Sequence, residues 1–88
     1  MKGAEGRVWT VYMLRCRDGS LYTGITNDLA KRLGRHGAGT ASAYTRARRP
    51  VRLVFQERQP DRSAALRREA ALRRLSRVQK LALVQGAR

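Results

Sequence analysis

The sequence predicts a small α+β domain organised on a β-hairpin, and three observations carry that expectation. Two β-rich runs, Val8 to Arg15 and Leu21 to Thr26, flank an Asp18-Gly19 turn dipeptide. A third alternating run of β-formers occupies Val51 to Gln56. Helix-start residues stand at Asn27-Asp28, Asp61 and Ser76, each ahead of a stretch fit to be helical.

Met1 to Gly6 is polar with two glycines and reads as a loose lead-in. The hairpin then poses a question of register, because each strand carries one tyrosine, Tyr12 and Tyr22. A two-residue loop would set Cys16 opposite Leu21 and send the tyrosines to opposite faces. A three-residue loop, Arg17-Asp18-Gly19, with Gly19 left-handed in a bulge, sets Cys16 opposite Ser20 instead. That register gathers Trp9, Val11, Met13, Leu21 and Ile25 on one apolar face and leaves Tyr12, Tyr22 and Gly24 together on the other. It segregates the side chains better and is the register expected.

Asn27 is the expected N-cap of the first helix, with Asp28 in its first turn, and the helix ends near Arg35 or His36 before Gly37 and Gly39. Leu29, Arg32, Leu33 and His36 fall on one face at i, i+3, i+4 and i+7. The leucines are ordinary core. Arg32 and His36 have two readings: an arginine held at a site by a partner with His36 stacked beside it, or a snorkelling arginine beside a helix-capping histidine. Gly37 to Pro50 reads as a loop with a helical turn around Ala41 to Tyr44. Its dense run Tyr44-Thr45-Arg46-Ala47-Arg48-Arg49 makes Arg46, Arg48 and Arg49 candidates for phosphate contacts and Tyr44 a candidate for base stacking. Asp61 caps a helix reaching about Leu75, and Ser76 starts another to Val84 whose Val78, Leu81 and Ala82 share a face. Glu69, beside Ala65 and Leu72 on the helix wheel, is the only acid between Asp61 and the C-terminus. It suits either an i,i+4 ion pair with Arg73 or a metal.

Eighty-eight residues make a single domain, with a core from about residue 8 to 84. Twenty Lys plus Arg against six Asp plus Glu leave a net charge of +14 spread along the chain, which favours a polyanionic partner over a membrane surface. Cys16 is the only cysteine, so neither an intrachain disulfide nor a two-cysteine zinc site is possible. No apolar run has the length of a membrane span, and a cytoplasmic protein is the expectation.

The reactive groups are therefore Tyr12, Tyr22, Arg32, His36 and Glu69. A lone carboxylate suits one hard divalent ion that keeps several waters beside a phosphate. An arginine offsets charge on the phosphate in the transition state, and a phenol whose pKa is lowered by neighbouring cations takes a proton from water. Together these amount to phosphodiester hydrolysis with one metal.

The order and spacing of Thr10-Val11-Tyr12, Tyr22-Thr23-Gly24, Arg32, His36 and Glu69 resemble the GIY-YIG nuclease domain. The small bacterial single-domain members are the most similar, through the run from Cys16 to Gly24. The likeness also covers Asn27-Asp28-Leu29, Tyr44-Thr45-Arg46, Pro50 to Glu57 and Ala65 to Glu69, hence nearly the whole chain. The resemblance implies a three-stranded antiparallel sheet flanked by helices. It further implies one Mg²⁺ or Mn²⁺ held by Glu69 and the scissile phosphate, Tyr12 as general base with His36 as proton relay, and Tyr22 orienting phosphate or water. Arg32 would stabilise phosphate charge, and Gly24 would permit close backbone approach. The chain departs from larger relatives in having Ile25 where several carry a lysine, and no late asparagine.

The expected function is a metal-dependent DNA endonuclease of low intrinsic sequence specificity. Its substrates would be repair or recombination structures, branched or damaged, with RNA an alternative and a protein partner to select the site. The competing expectation is a non-catalytic nucleic-acid-binding module on the same scaffold.

Overall fold

A computed structural model describes residues 8–86; the expected lead-in, Met1 to Gly6, lies outside them. Seven elements follow in order: β1 (Trp9–Arg15), β2 (Leu21–Thr26), α1 (Leu29–Ala38), α2 (Ala43–Arg46), β3 (Arg52–Gln59), α3 (Arg62–Arg73) and α4 (Arg77–Gly86). The strands form one antiparallel sheet in the order β2-β1-β3. Both the α+β class and the three-stranded antiparallel sheet are as expected.

The hairpin has the three-residue loop. Cys16 N–H donates to the Ser20 carbonyl at 2.9 Å, Gly19 N–H donates to the Cys16 carbonyl at 2.9 Å, and Gly19 sits at φ +86°. That left-handed backbone is open to glycine at little steric cost. The resulting register pairs Tyr12 with Gly24 and Leu14 with Tyr22, so both tyrosines rise from one face.

The opposite face carries the core. Val11, Met13, Phe55, Ala65 and Leu72 are buried together, with Trp9, Ile25, Val54, Leu75, Leu83 and Val84 packed around them. Strand β3 runs to Gln59 rather than ending at Gln56, and a bulge between Met13 and Leu14 lets it pair with the full length of β1. At the margin of this face Glu57 accepts from Arg68 Nε at 2.7 Å and from Arg68 Nη2 at 3.3 Å.

Several boundaries differ from the sequence expectation, each for a local reason. Asp28, not Asn27, caps α1: its carboxylate accepts from Lys31 N–H at 3.1 Å, while the Thr26 hydroxyl accepts from Asp28 N–H at 3.0 Å and holds Asn27 in the preceding turn. Gly37 does not stop the helix, because an exposed helical glycine costs only about 1 kcal/mol relative to alanine. The stop is Gly39, at φ +83°, where Thr40 N–H donates to the Arg35 carbonyl at 2.9 Å. The helical turn expected around Ala41 to Tyr44 lies at Ala43–Arg46, because Ser42 is its N-cap. Helix α3 ends at Arg73 rather than Leu75. Ser76 and Gln79 form a reciprocal capping box, Gln79 N–H to Ser76 Oγ at 3.2 Å and Ser76 N–H to Gln79 Oε1 at 2.9 Å. The α4 face expected from Val78, Leu81 and Ala82 is not the one that docks: Val78 is 77% exposed, and Leu83 and Val84 reach the core. Apolar residues wrap too much of that helix for spacing alone to select the docking side.

Candidate active site

The second face of the sheet is covered by α1 and α2, and its buried contacts are largely polar. Tyr12 and His36 are completely buried, and the Tyr12 hydroxyl lies 2.8 Å from His36 Nε2. The other ring nitrogen, Nδ1, lies 2.9 Å from the hydroxyl of Thr45, also completely buried. Thr45 Oγ1 is in turn 2.9 Å from Ser42 Oγ and 3.4 Å from the Ser42 carbonyl. A continuous chain of polar contacts thus runs from Tyr12 into α2.

Gly24 is required for this arrangement. A Cβ on that residue would lie 2.6 Å from the Tyr12 hydroxyl oxygen and 2.8 Å from Cζ. The expectation was close backbone approach; here the close partner is the ring of Tyr12, laid across the glycine opposite it. Since β2 is an edge strand, the phenol lies toward the rim of the sheet.

Tyr22 completes an aromatic group. Its ring centroid is 6.5 Å from that of Tyr12, 5.3 Å from His36 and 5.9 Å from Tyr44, against which it stacks. Arg48 lies over the Tyr44 ring, its Cζ 3.8 Å from the ring centroid. The Arg48 side chain also donates to the Asp18 carboxylate and to the Tyr44 carbonyl, both at 3.1 Å. Hydrogen bonds from the Ser20 hydroxyl and N–H, and then Arg48, hold Asp18 below the usual carboxylate range. The turn of the hairpin and the α2 segment are therefore latched together, with Tyr44 packed against both Tyr22 and Arg48.

Arg32 and Glu69 approach from different elements. Arg32, on α1, acts on the Tyr12 phenol by charge. Glu69, on α3, has a side chain 18% exposed, forms an ion pair with Arg73 at 3.3 Å, and its charge is felt at Tyr12. Arg73 also donates to the Thr23 carbonyl at 3.3 Å. Of the two readings of Glu69, the i,i+4 ion pair with Arg73 is the one present in the structure, and it is monodentate.

The expected acidification of the phenol is reversed. Burial, then the neighbouring Tyr22, push Tyr12 up to about 12; Arg32 pulls it down and Glu69 pushes it up, and burial prevails. Burial also lowers the His36 pKa, with Arg32 and then Arg35 adding charge repulsion. Both groups are thus neutral near pH 7, a phenol beside a neutral imidazole.

Among the described residues no three His, Cys, Asp or Glu side chains gather as metal ligands. The donor set fits a different arrangement: one carboxylate, Glu69, next to phenols and an arginine, suited to a hydrated hard cation that takes its remaining ligands from a phosphate. Two clefts carry basic side chains, the second of them beside Tyr22 and Tyr44. The first is lined by Thr26, Asn27, Asp28, Lys31, Arg32 and Arg35, the second by Leu21, Tyr22, Thr23, Tyr44, Arg73 and Lys80.

The arginine loop is less uniform than its sequence suggests. Arg49 donates to the Arg46 and Gly37 carbonyls, each at 3.2 Å, and Arg48 is engaged by Asp18 and Tyr44; Arg46 and Arg49 are exposed and Arg48 is half-buried. Sequence reasoning missed Thr45 as a site residue. The signal available was its place three residues after Ser42, the spacing of a helix cap rather than of a catalytic motif.

Comparison with known proteins gives a single direction. Residues 8–82 match the family model described as the GIY-YIG catalytic domain. A UPF0213 protein from Cupriavidus pinatubonensis is 48% identical over 63 residues, covering 72% of this chain and 70% of that protein. Another, from Desulfotalea psychrophila, is 52% identical over 62 residues, covering 69% of this chain and 56% of that one. The solution NMR structure of a UPF0213 protein from Bacillus halodurans aligns with a TM-score of 0.58 and 42% identity over 89% of this chain and 83% of that chain.

Proposed function

Because the chain belongs to the GIY-YIG family, we propose that it is a metal-dependent DNA endonuclease hydrolysing phosphodiester bonds, with low intrinsic sequence specificity and a role in DNA repair or recombination. The observation that carries the proposal is the packing of Tyr12, Tyr22 and His36, from three separate elements, into one buried group, with Arg32 and Glu69 acting on Tyr12 by charge.

A phenol with a pKa near 12 is almost never ionised at neutral pH, so a standing phenolate does not serve as the base. The relay does. As the attacking water loses its proton to the Tyr12 oxygen, Tyr12 passes its own proton to His36 Nε2, 2.8 Å away. Arg32 bears on the phosphate charge that grows as the new P–O bond forms and the bond to the leaving sugar oxygen breaks, that oxygen taking a proton from solvent. Tyr22 directs its hydroxyl to the phosphate or the water. Glu69 would hold a single Mg²⁺ or Mn²⁺, which when bound neutralises phosphate charge and counters the carboxylate's own effect on Tyr12.

The two clefts suit a polynucleotide, since Lys31, Arg32 and Arg35 line one and Arg73 and Lys80 the other. Arg46 is the member of the arginine loop best placed for phosphate, with Arg48, Arg49 and Tyr44 shaping the surface beside it. Purified protein should nick supercoiled plasmid and branched DNA with Mg²⁺ or Mn²⁺ and not with EDTA. Tyr12→Phe and Glu69→Ala should abolish nicking while DNA binding persists. A Glu69→Ala protein that cuts like wild type overturns the catalytic reading, and binding without cleavage in the wild type leaves a non-catalytic module.

A further inference from the structure

We infer that Thr45 is a positioning residue which fixes His36 in the tautomer carrying its proton on Nδ1, so that Nε2 is held ready to receive the Tyr12 proton. The inference deepens the proposed nuclease reading, since it says how the relay is set before substrate arrives. It rests on donor and acceptor counting in a buried network.

Two neutral arrangements are possible for the pair. In one, Tyr12 O–H donates to Nε2 and Nδ1–H donates to Thr45 Oγ1; in the other, Nε2–H donates to the tyrosine oxygen and Thr45 O–H donates to Nδ1. The Tyr12 end decides between them. If Nε2 donated to the phenol oxygen, the phenolic hydrogen would be left without an acceptor, because His36 is the hydrogen-bond partner of Tyr12 among the described side chains. A buried unpaired hydroxyl hydrogen is costly, so Tyr12 donates and Nε2 accepts.

Thr45 closes the other end. With the proton on Nδ1, its oxygen at 2.9 Å is the acceptor, and its own hydrogen turns to Ser42, whose Oγ lies at 2.9 Å and whose carbonyl lies at 3.4 Å. Ser42 Oγ in turn accepts from Thr45 N–H at 3.1 Å, which fixes the α2 cap and the hydroxyl in one structure. When the imidazole gains the Tyr12 proton both ring nitrogens donate, and the same threonine oxygen still serves Nδ1. Thr45 therefore matches the histidine before and after proton transfer without moving.

The chain has one histidine, so its ring nitrogens can be read without ambiguity. The experiment is ¹⁵N-detected NMR of the imidazole in the full-length metal-free protein, for wild type, Thr45→Ser and Thr45→Val, with backbone amide spectra to establish the fold. Wild type and Thr45→Ser should show a protonated Nδ1 and an unprotonated Nε2. Thr45→Val should shift to the Nε2–H form or a mixture, and its nicking rate should fall about 10- to 100-fold while Thr45→Ser stays close to wild type. Should valine prevent folding, Thr45→Ala removes the same hydroxyl with less bulk. A wild-type signal from Nε2–H, or an unchanged tautomer in a folded hydroxyl-deletion variant, overturns the inference. The tautomer is measured without cleavage, so absence of nicking in every protein would defeat the nuclease reading and leave this one standing.

Discussion

Strand β1 sends Val11 and Met13 to one face of the sheet and Tyr12 and Leu14 to the other, and all four are completely buried. Their surroundings differ in kind. Val11 and Met13 meet Phe55, Ala65 and Leu72 from β3 and α3, side chains that interact through shape and apolar area. Tyr12 meets a glycine, an imidazole and an arginine, and its place is set by hydrogen bonds that reach into α2. One face supplies stability that neighbouring apolar groups can partly replace, whereas the other supplies a geometry in which each polar atom needs its own partner. The comparison predicts that damage to the two faces has separable consequences.

The largest expected effect is on the apolar face. Leu72→Ala removes a completely buried side chain and should lower unfolding free energy by about 2–5 kcal/mol in urea denaturation. That is a large part of the ~5–15 kcal/mol typical of a domain. The fraction that stays folded at low temperature should keep the wild-type His36 ring signals and nick at the wild-type rate per folded molecule. A changed imidazole spectrum in that folded fraction would break the separation of the faces.

Gly24→Ala should do the reverse. A methyl group only 2.6 Å from the Tyr12 oxygen cannot be accommodated without moving the ring, and the ring cannot move without losing His36. The expected cost is about 1–3 kcal/mol in stability. Cleavage should fall by about 100-fold, since an ångström of misplacement has that effect on a positioned group. Retained activity would show that Tyr12 does not need its place across Gly24.

The difference between the faces also explains what the sequence made legible. The hairpin register was readable because alternation has a period of two and a slip by one residue would have exchanged Val11 with Tyr12. Helix α3 is only roughly amphipathic, so spacing alone does not single out Ala65 and Leu72 as the residues it buries. The start of α1 was misplaced because Asn27 and Asp28 are both good caps, and only the Thr26 hydroxyl bonds distinguish them. The docking side of α4 was misplaced because Val78, Leu81, Leu83 and Val84 leave no clean polar face. Tyr12, Tyr22, Arg32, His36 and Glu69 could be named as candidates from a motif, and Tyr12, Tyr22 and His36 do pack together, but Thr45 belongs to no periodicity. The direction of the Tyr12 pKa was out of reach for a further reason: it is a contest between burial and Arg32 that a linear chain does not state.

The smallest expected effect is the pH dependence of stability, and it sharpens the comparison because only the polar face produces it near neutrality. The His36 pKa is lowered in the fold from an ordinary 6.5 by burial and by Arg32 and Arg35, while Tyr12, Tyr22 and Thr45 offer the ring no compensating negative charge. The unfolded chain therefore binds a proton at this residue at a higher pH than the folded chain does. Stability is full above pH 6.5 and is lost as the pH falls from there toward the lower folded value. Asp18 contributes only further into acid, because its ordinary pKa is 3.8 and the fold lowers it. Urea midpoints measured from pH 7.5 to 5 should fall for wild type and fall less for His36→Gln. The Leu72→Ala variant should keep the wild-type slope about a lower baseline. If His36→Gln matched wild type across that range, the imidazole would not be held neutral by its surroundings, and the relay would lose the acceptor on which it depends.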